Sequence, residues 1–228
     1  MSRRPAALAA LVSLAAGCSS LGDPGIPIAI EVTTPTLLAV DINDTILLRA
    51  RLVDQAGDSI AGEIRWRTPD TTVGVDSVTG AFWGIFTGTG RVQAVAGTLV
   101  SPLINFTVRA AADTIIVSAA AESLLVVLAD DSVSDPLGAR IAQANGTGLG
   151  GRTIIYSLIA PTPAGIRLTG DVLADTLTTG SDGLATPVIR VRDTTAVAND
   201  SAFVQVQGRR PSGKPIPGSG QAIRVYFE

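Results

Sequence analysis

One stretch of this chain occurs twice. Residues 48–66, LRARLVDQAGDSIAGEIRW, return in altered form at 137–156. Shifted forward by 89 (139 − 50), Ala50, Arg51, Gly57, Ile60 and Gly62 fall on Ala139, Arg140, Gly146, Leu149 and Gly151. Past Gly62 the offset is 90 (156 − 66), pairing Ile64 and Trp66 with Ile154 and Tyr156, so one residue is added at Arg152 or Thr153. Within the first copy Leu48, Ala50 and Leu52 alternate with Arg49 and Arg51, and Ile64 and Trp66 alternate with Glu63, Arg65 and Arg67. A period of two means a strand with one buried face. Each copy therefore reads strand, glycine turn, strand, and supplies half of a sandwich core. A repeat spaced by about ninety residues favours two domains.

The composition agrees with an all-β chain. Hydrophobic residues make up 46% with only 4% aromatic, and 24 Gly and 13 Pro supply the turns that many short strands require. Net charge is −3 and Lys214 is the only lysine, which leaves neither a basic stripe for nucleic acid nor a polybasic membrane patch. The chain has no His and one Cys, so Ser-His-Asp and Cys-His triads and His-ligated zinc are excluded. A Ser-Lys dyad would need Lys214, which sits in a Pro/Gly loop unable to desolvate it. Asp130, Asp131 and Asp135 read as a solvated turn, and the run from Gly146 to Gly151 as a hairpin turn. The expectation is a protein that is not an enzyme, with no cofactor and no metal. Asp41-Ile42-Asn43-Asp44 looks like the Asp-x-Asn-Asp core of cadherin linkers, which would bind Ca2+ through oxygen ligands. Here it falls inside the first domain, where Asn and Asp are good turn formers.

The N-terminus carries Arg3 and Arg4, an apolar run over 6–16, and Gly17-Cys18-Ser19-Ser20, the pattern of a secretory signal over 1–17. Leu14-Ala15-Ala16-Gly17-Cys18 resembles a bacterial lipoprotein signal, with the leucine one place earlier than usual. The resemblance implies cleavage before Cys18 and acylation of its thiol and new amine, which would make the membrane a partner. Ser19 after the cysteine resembles the pattern of lipoproteins sent to the outer membrane, on its periplasmic or surface face. Residues 18–27 would be the lipidated cysteine and a short tether.

Residues 28–109 read as the first sandwich, of about seven or eight strands. Pro35 interrupts the first strand, as suits an edge strand that changes partner. Leu48-Arg49-Ala50, Asp54 through Gly57, Trp66, Val73 with Val75, Thr79-Gly80 and Gly90 through Ala96 resemble a bacterial Ig-like domain of group two. Trp66 matches the buried tryptophan of Ig sandwiches, without a disulfide to pack against. Residues 110–113 form a linker too short for free movement, which implies an extended rod. Residues 114–228 form the second sandwich. Gly146 through Tyr156 and Thr179-Gly180-Ser181-Asp182-Gly183-Leu184-Ala185 resemble the invasin and intimin type of Ig-like domain, with a wider Thr–Asp spacing than that family has.

Two places stand out as contact candidates. Residues 209–220, RRPSGKPIPGSG, form a Pro/Gly loop between the last two strands, expected to be exposed and mobile, with Arg209, Arg210 and Lys214 as contact residues. Trp83 alternates with Phe82 and Gly84, and both faces of a strand cannot be core in a two-sheet sandwich. Either Trp83 faces outward as a contact for a sugar or protein, or it packs at the rim or through a bulge at Gly84. The resemblances imply a lipid-anchored envelope protein with Ig-like modules for adhesion, binding or display. The alternatives are an accessory lipoprotein of an envelope complex and a carbohydrate-binding module.

Overall fold

The computed structural model describes residues 25–117, 123–126, 133–159, 165–193 and 200–227. Cys18, Asp130, Asp131 and the signal lie outside the described residues. No helix occurs among the described residues. The N-terminal half holds β1 (Ala29–Thr33), β2 (Ala39–Asp41), β3 (Thr45–Leu47), β4 (Arg49–Val53), β5 (Ser59–Ile60), β6 (Arg65–Arg67), β7 (Val73–Val75), β8 (Ala81–Gly84), β9 (Gly88–Ala96), β10 (Leu99–Val100) and β11 (Ile104–Arg109). They form sheets in the orders β1-β4-β5, β10-β9-β11-β2 with β6 also on β9, and β3-β8-β7.

The C-terminal half holds β12 (Thr114–Val117), β13 (Ser123–Val126), β14 (Ala139–Ala142), β15 (Thr153–Ile159), β16 (Ile166–Leu168), β17 (Ala174–Thr178), β18 (Leu184–Ala185), β19 (Ile189–Val191), β20 (Ser201–Gly208) and β21 (Ala222–Phe227). Here the orders are β12-β14-β18, β13-β21-β20-β15-β17 and β16-β19. The two halves bury separate cores. One gathers Ile30, Leu52, Trp66, Phe82, Val92 and Phe106, the other Ile115, Ile141, Tyr156, Ile189, Val204 and Phe227. Each is an Ig-like β-sandwich.

The first strand of each half changes sheet. β1 runs antiparallel to β4, with Ile30 opposite Leu52; beyond Pro35 the chain crosses and β2 runs parallel to β11, with Val40 opposite Val108. Likewise β12 pairs antiparallel with β14 and β13 parallel with β21. Splitting an edge strand this way covers part of both sheets. The strand expected over 45–53 also splits, at Leu48, whose N–H donates to Gly80 O at 3.0 Å while β3 joins β8 and β4 joins β1. Such splits raise the N-terminal count above seven or eight.

The two copies of the repeat fold identically at their turns. Asp54 N–H donates to Asp58 O and Gly57 N–H to Asp54 O, both at 3.0 Å; 89 residues on, Gln143 N–H donates to Thr147 O and Gly146 N–H to Gln143 O, both at 2.9 Å. Gly57 and Gly146 take φ of 85° and 83°, a region that glycine enters without steric penalty. Trp66 and Tyr156 both end up in the core, and burial without a charged partner raises the Tyr156 pKa. Its hydroxyl donates to Ala185 O at 2.5 Å, tying β15 to β18.

Trp83 keeps the regular alternation. Phe82 and Gly84 are buried, while Trp83 is half-buried on the outer face of β8. Its indole lies across Gly74 of the neighbouring strand, where a Cβ would come within 2.3 Å of Cε2. Gly74→Ala is therefore expected to lift the indole off the sheet and shift its fluorescence to the red, at a cost on the order of 1 kcal/mol. Trp66 is buried elsewhere, so an unchanged emission spectrum would mean the indole does not rest on Gly74.

Candidate functional site at the junction of the two sandwiches

The strongest chemistry among the described residues lies where the two sandwiches meet. Asp41 ends β2, and the chain turns at once: Asp44 N–H donates to Asp41 O at 3.0 Å, with Asn43 in the left-handed region at φ 59°. Both carboxylates are buried, Asp41 at 0% and Asp44 at 1% exposure, which is costly unless each is paired. The partners come largely from the other sandwich.

Arg152 supplies the central one. Its Nη1 donates to Asp41 Oδ1 at 2.7 Å and its Nη2 to the carbonyl of Ala110 in the linker. The guanidinium is 5% exposed, and its fork geometry lets one side chain hold a carboxylate and a backbone oxygen together. Its backbone is clamped as well: Arg152 N–H donates to Thr179 Oγ1 at 3.0 Å, Thr179 N–H to Arg152 O at 2.8 Å, and Thr179 Oγ1 to Leu149 O at 2.6 Å. Arg152 is one of the two positions at which the second copy of the repeat is a residue longer. The same Asp41 oxygen accepts from Arg109 Nε at 3.3 Å. Burial lowers the Arg109 pKa and the nearby Arg152 charge lowers it further, against the pull of Asp41.

The 209–220 loop supplies the second set of contacts. Arg210 N–H donates to Lys214 O and Gly213 N–H to Arg210 O, both at 2.9 Å, so the loop is a tight hairpin, and Ile216 is buried in the C-terminal core. Lys214 Nζ donates to Asp44 Oδ1 at 3.0 Å. Arg210 Nε donates to Ala112 O at 3.0 Å, and its Nη2 lies 3.6 Å from Asp113 Oδ1. Asp113 is held in turn, its Oδ2 accepting Ala144 N–H at 2.9 Å. Arg209 is exposed and bonds within the loop, its Nη1 donating to Gly213 O at 2.9 Å. The loop is tied at two points, by Ile216 in the C-terminal core and by the Lys214–Asp44 ion pair to the N-terminal sandwich.

Burial pushes the Asp44 carboxyl up, but hydrogen bonds from Ser212, Lys214 and the Thr45 amide, with the charge of Lys214, outweigh it and hold the pKa below its ordinary value. A depressed carboxylate stabilises the folded state above its ordinary pKa of 3.8, and that stability is lost as pH falls through the lower, folded value. The contact thus persists through mild acid. The cations facing the Asp-x-Asn-Asp turn are side chains, Arg109, Arg152 and Lys214. No group of three or more metal-ligating side chains occurs among the described residues. The contact candidate Trp83 lies on the outer face of β8, opposite Thr45 in the β3–β8 pair.

Fold and junction together define the class: an all-β protein of two tandem Ig-like sandwiches joined by ion pairs to two buried carboxylates. No protein-family model matches the chain, and no curated protein matches it. Among solved structures it is similar to domains 4 and 5 of the S-layer protein SbsC, at 15% identity over 88% of this chain and 98% of that one, with a TM-score of 0.33. It is similar to the Yersinia pseudotuberculosis adhesin InvE at 12% identity over 87% of this chain and 58% of that one, with a TM-score of 0.39. The fibronectin(III)-like modules of Clostridium thermocellum CbhA give 13%, 87%, 94% and 0.40 by the same measures. The chain spans 28% of the longer structure of SbsC domains 1–6.

Proposed function

We propose that this is a lipid-anchored cell-envelope protein whose two Ig-like sandwiches act as a non-catalytic display or adhesion unit. The observation that carries the reading is the junction. Two ion pairs to buried carboxylates, Arg152–Asp41 and Lys214–Asp44, join the sandwiches, so that a force or a ligand on one is transmitted to the other rather than absorbed by a free linker. The signal ending at Cys18 supplies the anchor, and the chain has no His for acid–base work. Ser19 after the cysteine supports an envelope address at the outer membrane.

Intact-mass measurement on membrane fractions of cells expressing the wild type and Cys18→Ser, with protease shaving of whole cells, tests this. The expected result is an acylated wild type removed by shaving and an unacylated variant released from the membrane. An unmodified wild type would end the anchor, and an acylated protein resistant to shaving would end surface display in favour of the accessory-lipoprotein reading. A carbohydrate-binding role at Trp83 is the weaker alternative, because one face of the indole is already spent on Gly74.

A further inference from the structure

The 209–220 loop carries Arg209, Arg210 and Lys214 and no acidic residue, in a chain whose net charge is −3. Its cations are turned toward carboxylates of the N-terminal sandwich and linker: Lys214 toward Asp44 and Arg210 toward Asp113. The loop is thus seen bound to an acidic surface, and that surface belongs to the same chain. Lys214 remains 60% exposed while its partner carboxylate is fully covered, so the pair can be attacked from the loop side only. Arg209, beside them, has no carboxylate partner among the described residues and keeps most of its donors.

We propose that the loop is a recognition site for an acidic polypeptide segment, held in check by Asp44 and Asp113 as internal competitors. A segment bearing several carboxylates is first met by Arg209 and takes Lys214 and Arg210 only by displacing Asp44 and Asp113. Capture of the partner and opening of this half of the junction are then one coupled equilibrium, each favouring the other by the same factor. Charge complementarity identifies the partner chemistry: planar carboxylates at close spacing, matched to two guanidinium forks and one ammonium. This deepens the display reading by naming the partner's chemistry. The two fail separately, since peptide binding is measured on the purified chain whether or not cells acylate or expose it.

The test is binding of fluorescein-labelled hexaglutamate to the purified full chain at low salt, read by anisotropy, for the wild type and three variants. Asp44→Asn removes the competitor with little change of shape, and should bind the peptide at least about tenfold more tightly than the wild type. Lys214→Gln frees Asp44 but removes a ligand, and should open the junction without any gain in binding. Arg209→Ser in the Asp44→Asn background should return the affinity to the wild-type level or below. Small-angle scattering on the same samples reports opening. The proposal is overturned if Asp44→Asn, folded and opened, binds the peptide no better than the wild type, or if Lys214→Gln gains as much as Asp44→Asn. In either case the loop cations serve the junction alone.

Discussion

Arg152→Ala is expected to uncouple the two sandwiches, at a loss of about 2 to 4 kcal/mol of junction stability. Asp41 is wholly buried, and its Oδ2 has no hydrogen-bond partner among the described residues. With Arg152 gone, Asp41 keeps only the longer contact to Arg109, and the Ala110 carbonyl loses its donor. The cheapest response is for the sandwiches to part and let Asp41 rehydrate, which caps the cost below that of a charge stranded in a core. The expected readout is a scattering profile that broadens toward a flexible pair, with both sandwiches still folded. Arg152→Lys should fall between, since one ammonium cannot copy the forked contact to Asp41 and Ala110. A double-mutant cycle with Asp41→Asn measures the pair itself. A coupling below about 0.5 kcal/mol would sink the idea that this contact holds the junction.

Much of the fold was legible because sandwich physics is local. Alternation in 48–53 and 63–67 placed Leu52 and Trp66 inside, the repeat located the same turn twice, and Pro35 marked the change of sheet. Leu48 was not legible as a break, because the bond that splits β3 from β4 comes from Gly80, far along the chain. The junction was hidden for the same reason on a larger scale: Arg152 and Asp41 are 111 residues apart, Lys214 and Asp44 170 apart. Asp41-Ile42-Asn43-Asp44 reads as a turn and is one, yet nothing local says that its side chains face another module. Two signals were present. The repeat gains its extra residue at Arg152 or Thr153, where nothing in a single sandwich calls for one. Ile216 is the only large apolar residue in RRPSGKPIPGSG, and a lone isoleucine in a polar loop is an anchor for that loop. Contacts between modules follow from no periodicity, so side-chain chemistry that breaks the local pattern is where to look for them.

Phe82→Ala should lower the stability of the N-terminal sandwich by about 3 to 5 kcal/mol and leave the C-terminal one nearly untouched. Phe82 is 0% exposed and stacks on Phe106 with ring centroids 4.7 Å apart at 42°, so truncation removes both buried area and a ring contact at the centre of the core. For a domain of this size such a loss moves the midpoint down by about 10 °C or more. The two transitions can be told apart without labels, because both tryptophans, Trp66 and Trp83, belong to the N-terminal sandwich. Tryptophan fluorescence should therefore melt early in the variant while far-ultraviolet circular dichroism shows a second, later transition near the wild-type temperature. The separation of the two cores predicts this split, and the junction sets its limit. If Arg152 and Lys214 couple the sandwiches strongly, the early melt also strips partners from the C-terminal one, and its transition shifts down by up to the junction energy. Coincident fluorescence and dichroism midpoints in Phe82→Ala would mean that the chain unfolds as one unit. Combining Phe82→Ala with Arg152→Ala should then widen the gap between the transitions, because the second sandwich no longer leans on the first.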